Sequence, residues 1–240
     1  MLQNSLFHRF LRKYNKIFIF LTFIFIGLAF LYIGKNIFVI RKIQIFGINP
    51  KISIIGLSGY QNTNLILLHE KSVEKNIFNQ NSMIKTIHID KKFPDTLQVT
   101  VSMYIPIAYT ESSIENFILS SDGRILKKSK EVGDLPLIHY YQKLNKYSFG
   151  IGEYISYKDM LYALYFLDHV MDFGVRFNRI DINGFNMLLC KVDDKEIIFT
   201  AEKSKETQLY ELEQIIKQFK VEGRNYKRID LRFDKPVVAF

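Results

Sequence analysis

The chain has 240 residues, 48% of them hydrophobic and 15% aromatic, and its 33 Lys and Arg against 24 Asp and Glu give a net charge of +9. That length suffices for one or two ordinary domains with cores of their own, and the single cysteine, Cys190, excludes an intramolecular disulfide. The basic balance does not point to nucleic acid: residues 1–51 hold eight Lys or Arg and no acid, so the other 189 residues carry 25 bases and 24 acids, a net of +1.

The first element is the run Ile17 to Ile33, seventeen residues without a charge, interrupted only by Thr22 and Gly27. As a helix it covers about 26 Å, and Tyr14 to Lys16 extend it to roughly the hydrocarbon thickness of a bilayer. The pattern predicts one membrane-spanning helix over 17–33. Arg9, Arg12, Lys13 and Lys16 crowd the arm 1–16 and assign it to the cytoplasmic side, with Lys35, Arg41 and Lys42 partly offsetting that bias. The bulk of the chain is then expected outside the cytoplasm. A cleaved signal peptide is the alternative, but the run exceeds the usual apolar core and lacks a small-x-small cleavage site.

Past the span, Phe38 to Phe46 alternates as a short strand, and Gly47 to Gly59 carries the Gly, Pro, Asn and Ser of turns or a broken helix. Ser72 is a candidate cap for a helix over Val73 to Phe78, with Glu74 in its first turn. Ile84, Ile87 and Ile89 lead to a tip at Lys91 to Thr96. The return strand puts Leu97, Val99, Val101, Met103 and Ile105 on one face and Gln98, Thr100, Ser102 and Tyr104 on the other, the pattern of a strand with one face on a core. Strand, helical stretch and two strands make a small α+β domain over 37–110.

From residue 111 to 240 the pattern predicts a second, strand-rich domain of mixed α and β elements. A hairpin joins Phe117–Leu119 to Arg124–Leu126 through Ser121, Asp122 and Gly123, and Lys127 to Asp134 is a polar loop. Tyr157 to Phe173 is a helix with Met160, Ala163, Leu164, Leu167, Val170 and Met171 on one stripe and Gly174 as its stop. Strands follow over Arg179–Ile182, Phe185–Cys190 and Glu196–Thr200, separated by Asn183-Gly184 and Asp193-Asp194 turns. A second amphipathic helix, Lys205 to Lys220, buries Leu209, Leu212, Ile215, Ile216 and Phe219. The chain closes on a strand, Arg228 to Phe240.

Four pieces of sequence in this order resemble the FtsQ/DivIB family of bacterial cell-division proteins. Ile43-Gln44-Ile45-Phe46-Gly47 is similar to the family's opening strand. Phe93-Pro94-Asp95-Thr96-Leu97-Gln98-Val99 with Pro106-Ile107-Ala108 resembles the hairpin and exit of its POTRA domain. Ser121-Asp122-Gly123 followed by Leu135-Pro136-Leu137-Ile138 resembles the start of its β domain, and Arg228-Ile229-Asp230-Leu231-Arg232-Phe233 its terminal strand. The resemblance implies a single-span anchor, a POTRA-like domain and a partner-binding β domain. It implies a scaffold in septum formation at the cell (inner) membrane, with the POTRA-like domain helping to bring the protein to midcell. The implied partners are other divisome proteins, especially small single-span coiled-coil division proteins that give a segment to the terminal strand.

The residues themselves offer no enzyme. His8, His69, His88, His139 and His169 lack metal-ligand spacing, and Gly56-Leu57-Ser58-Gly59 lacks the G-x-S-x-G spacing of a nucleophile elbow. Gly150-Ile151-Gly152 is a lone G-x-G, Asp168-His169 lies on a helix whose other face is core, and Cys190 sits in an apolar run. No catalytic residue, metal, cofactor or small-molecule substrate is expected. What remains is binding at a sheet edge, where main-chain hydrogen bonds supply affinity. Ile229, Leu231 and Phe233 are expected in the core. Arg228, Asp230 and Arg232 are expected to face outward, and with Phe233, Val237 and Val238 they form the candidate partner-binding edge. Without the resemblance the reading stops at an anchored extracytoplasmic binding module. An anchored enzyme with an unrecognised site and a POTRA-bearing transport or assembly factor stay open beside it.

Overall fold

The computed structural model describes residues 20–28, 32, 34, 36–49, 52–142, 144–145, 147–184 and 186–240. The arm 1–16 and residues 17–19, 29–31 and 33 of the expected span lie outside them. Residues 20–28 are helical. No helix among the described residues is long and apolar enough to cross a membrane. The expected fold class is corrected accordingly: the described residues form a mixed α+β fold built on two sheets, and the expected single-span anchor is not shown among them.

The chain divides into two compact units, one of Met1–Asn81 and Thr86–Ser102, the other of Ser82–Lys85 and Met103–Phe240. The first unit is built on a three-stranded sheet of β1 (Lys42–Phe46), β2 (Ile84–Lys92) and β3 (Thr96–Met103), with β3 in the middle and β1 parallel to it. Leu97, Val99 and Val101 are buried, as the alternation of β3 requires, but the strand ends at Met103 and Ile105 is exposed. The helix α1 (Glu70–Gln80) adds Val73 and Ile77 to this core. It starts earlier than Ser72. The Ser72 and Val73 amides donate to the His69 carbonyl at 3.0 and 3.1 Å, so Ser72 already lies in the first turn and His69 holds the cap position without a side-chain bond. Glu74 instead ties the helix to the sheet, accepting from the Ile89 amide at 3.0 Å. Between β1 and α1 the described residues form turns and one 3-10 turn, Ser58–Tyr60.

The second unit is a nine-stranded sheet with two helices. Its strands are β4 (Ala108–Thr110), β5 (Asn116–Leu119), β6 (Ile125–Ser129), β7 (Leu137–Tyr140), β8 (Arg179–Asn183), β9 (Met187–Val192), β10 (Lys195–Thr200), β11 (Arg228–Asp230) and β12 (Val237–Ala239). The spatial order is β12-β11-β10-β9-β8-β7-β4-β5-β6. Hairpins explain the antiparallel pairs β5/β6, β8/β9 and β9/β10. The parallel pairs β7/β8 and β10/β11 need crossovers, and α2 (Lys158–His169) and α3 (Lys205–Glu222) supply them. Both helices bury their apolar stripes in one core with Ile138, Ile180, Ile182, Cys190, Ile197 and Phe199.

Local chemistry sets the helix limits. α2 passes into a 3-10 turn, Val170–Phe173, before Gly174. Tightening to three residues per turn rotates Met171 off the apolar stripe, and it is exposed. Ser204 caps α3 by accepting from the Thr207 amide, and Gly223, at φ 63, ends it with its N–H on the Phe219 carbonyl. The buried Gln208 pins α3 to β10: its Oε1 accepts from the Thr200 amide and its Nε2 donates to the Thr200 carbonyl, both at 2.8 Å.

A test of the strand phase follows from Val101, which is 2% exposed. Val101→Asp would bury an unpaired carboxylate, at a cost of at least about 2–7 kcal/mol. Thermal unfolding of the chain should show the melting of the first unit moved down sharply or lost. An unchanged melt would mean that Val101 does not face a core.

Candidate functional site

The candidate site is the edge that the terminal strands give the larger sheet. β11 pairs parallel with β10 through Glu196 with Arg228, Ile197 with Ile229 and Ile198 with Asp230. The Glu196 amide donates to the Lys227 carbonyl and the Leu231 amide to the Ile198 carbonyl, both at 2.8 Å. The main-chain groups of Ile229 therefore face β10, and those of Arg228 and Asp230 face the other way, toward β12. β12 pairs antiparallel with β11, Arg228 opposite Ala239, Ile229 opposite Val238 and Asp230 opposite Val237. By the alternation of an antiparallel ladder, Val237 and Ala239 turn their amides and carbonyls to β11, and Val238 turns its own away from the sheet.

The chain does not close as one strand over Arg228 to Phe240. It bends after Leu231 and returns as β12, which is the last strand in the sheet order. Ile229 and Leu231 are in the core as expected, but Phe233 is 54% exposed. Asp230, expected to face outward, is buried. Arg232 explains both departures. Its Nε donates to Asp230 Oδ1 at 2.9 Å, its Nη2 to Oδ2 at 2.6 Å and its backbone amide to Oδ1 at 3.1 Å, so the pair folds the connector back on itself. The Lys203 ammonium, paired with Glu211 at 2.7 Å, donates to the Phe233 carbonyl at 3.0 Å and holds the next turn.

Charge pairs cover the sheet face beside this edge. Arg228 donates twice to Glu196 Oε2, at 2.9 and 2.6 Å, and Asp181 lies 2.6 Å from Arg179 and 3.7 Å from Lys191. On the other face Val238 packs on the core. The far end of β12 is fastened by Phe240, whose ring lies 5.9 Å from that of Phe219 and 4.6 Å from the Arg224 guanidinium. Val237, 56% exposed, is apolar and uncovered.

The opposite edge of the sheet differs. There β6 is overlaid by the segment around Gly152 to Ile155: the Gly152 amide donates to the Ile125 carbonyl, the Ile125 amide to the Glu153 carbonyl, and the Ile155 amide to the Gly123 carbonyl, at 2.8 to 2.9 Å. Gly123, at φ +84, makes the turn that allows this, and a Cβ there would stand 2.7 Å from the Ile155 carbonyl oxygen. Among the described residues none pairs with the outer edge of β12, which ends the sheet order.

The residues weighed for chemistry are scattered. Cys190 is fully buried, and burial, with the nearby Asp181, holds its thiol well above the ordinary range. His169 Nδ1 lies 2.8 Å from the Tyr165 carbonyl and its ring stacks on Tyr165. Among the described residues no group of three His, Cys, Asp or Glu could hold a metal ion.

No protein-family model matches the chain, and no curated protein matches it. Among solved structures it is similar to the major extracytoplasmic domain of the trans isomer of the bacterial cell-division protein DivIB from Geobacillus stearothermophilus. The identity is 16% and the TM-score 0.28, over 42% of this chain and 81% of that one. That neighbour is a domain of a division protein. At such a score the likeness is too slight to carry function, which has to be argued from the residues of this chain.

The Asp230–Arg232 clamp makes a pH prediction. Burial raises the Asp230 carboxyl, but the hydrogen bonds from the Arg232 side chain and amide, with the charges of Arg232 and Arg228, outweigh it and hold the pKa below its ordinary value. The ionised form is therefore favoured in the folded state, and its contribution is present above the unfolded pKa and lost as pH falls through the folded one. Asp230→Asn should lower stability by about 1–3 kcal/mol at neutral pH, with the gap to the parent closing below about pH 4. Denaturant titrations at both pH values measure it; a gap that persists in acid would show that the carboxylate charge is not what is lost.

Proposed function

We propose that this chain is a non-enzymatic cell-division scaffold that takes an extended segment of a partner protein onto the outer edge of β12. In that role it links earlier septal proteins to the complex that controls septal wall synthesis. The observation that carries the reading is the uncovered main chain of Val238 at the end of a nine-stranded sheet whose other edge is overlaid. An added strand would find the amide and carbonyl of Val238 for main-chain pairing. Phe233 and Val237 would supply exposed apolar contacts beside it, and Arg228 and Arg232 polar contacts on the charged face.

The division role is supported by the four sequence pieces that resemble the FtsQ/DivIB family, taken in their order. The two turn pieces coincide with Phe93-Pro94-Asp95 before β3 and Ser121-Asp122-Gly123 between β5 and β6. The strand pieces overlap β1 and β11, the second running past the end of β11 at Asp230. On this reading the first unit, POTRA-like in its order of strand, helix and two strands, helps bring the protein to the division site. The partner is a small single-span coiled-coil division protein.

Val238→Pro tests the proposal. It removes an outward amide and leaves the Val237 and Ala239 ladder to β11 in place, so the fold should be spared. Val238→Ala shortens the side chain and keeps the amide. Tagged full-length chains used to recover partners from membranes of dividing cells should lose about tenfold in capture for the proline variant and little for the alanine variant, with similar melting curves. Undiminished capture by the proline variant would assign partner binding to another surface. A proline variant that fails to fold would show that the Val238 amide is used inside the sheet.

A further inference from the structure

We infer that one end of the first unit rests on an anionic phospholipid surface, with Leu67 and Phe93 as its apolar contacts and lysines as its headgroup contacts. Two loops and the incoming chain meet there. Phe93, at the tip between β2 and β3, is 60% exposed, and its ring stands edge-on to Phe38 with centroids 5.7 Å apart. The Phe38 carbonyl accepts from the Leu65 amide at 2.6 Å, which sets the Ile66-Leu67 loop beside it. Leu67 is 76% exposed and Ile66 50%, and the Lys91 ammonium reaches the Ile66 carbonyl at 3.5 Å.

Large apolar side chains exposed on adjoining loops are costly to leave in water. Here they are bordered by cations. Lys92 is exposed next to Phe93, and Arg41 and Lys42, both exposed, donate their amides to the Asp95 carbonyl of the same tip. Lys91 also stands 3.8 Å from Glu70, so part of its charge is met within the protein. Apolar tips with a rim of Lys and Arg match the boundary between acyl chains and anionic headgroups.

The chain also enters at this end. The Gly34 carbonyl accepts from the Phe38 amide and from Asn64 Nδ2, both at 3.4 Å, which fixes the entry point beside the same loops. Lipid is the one occupant that suits the two apolar tips and the basic rim together. The inference concerns surface contact only and is independent of the proposed division role.

Environment-sensitive labels on single introduced cysteines test it in the full-length chain, since Cys190 is buried and out of reach. Leu67→Cys, Phe93→Cys and, as control, Asn79→Cys near the far end of α1 are labelled and reconstituted into vesicles containing phosphatidylglycerol. Labels at 67 and 93 should shift to the blue and be quenched by brominated acyl chains at least about twofold more than the label at 79. Lys92→Glu should reduce that quenching in phosphatidylglycerol vesicles and leave it unchanged in phosphatidylcholine alone. Equal, water-like emission at all three positions would overturn the inference. So would labels that turn apolar only in native membranes, which would assign the patch to a protein, and so would indifference to Lys92→Glu.

Discussion

Three residue pairs between β10 and β11 govern the candidate site: Glu196 with Arg228, Ile197 with Ile229 and Ile198 with Asp230. They fix which main-chain groups of β11 are used inward and which are left for β12, and through β12 they aim the Val238 amide out of the sheet. A shift of one residue would turn every one of these groups around and bring Arg228 and Asp230 to the core face. The register is held from both sides. Ile229 and Leu231 are fully buried, and the charged partners Glu196 and Arg228, directly opposite one another, meet at 2.6 Å.

The parallel pair in turn depends on α3, because parallel neighbours need a long crossover. Ser204, Gln208 and Gly223 set where that crossover begins and ends, and Leu212, Ile216 and Phe219 seat it on the sheet. Phe219 also meets Phe240. The helix that delivers the chain to β11 thus also holds Phe240, the residue just after β12, and so fastens the end of the edge strand.

Period-two and period-3.6 patterns made most of the elements legible in the sequence. Leu97, Val99 and Val101 alternate without interruption, and Met160, Ala163, Leu164 and Leu167 recur at helical spacing. In both cases one buried face decides the position of every side chain. The closing strand is shorter than its period suggests for a related reason: Ile229, Leu231 and Phe233 keep the strand period straight through the bend. What breaks it is tertiary, the grip of Arg232 on Asp230 and of Lys203 on the Phe233 carbonyl. A local signal did exist, since an acid flanked by bases two residues away on either side puts all three on one face of a strand. The order of the nine strands could not be read, because it depends on which hairpins are bridged by crossovers.

Strand addition at this edge depends on the direction of one amide. Residue-resolved hydrogen exchange over Val237 to Ala239, in the free chain and with a bound partner, measures it directly. The Val238 amide should exchange much faster than those of Val237 and Ala239 when the chain is alone, and slow markedly when the partner is bound. Protection of Val238 in the free chain, or exchange that the bound partner leaves unchanged, would contradict the claim that this edge is open and is where a partner strand is received.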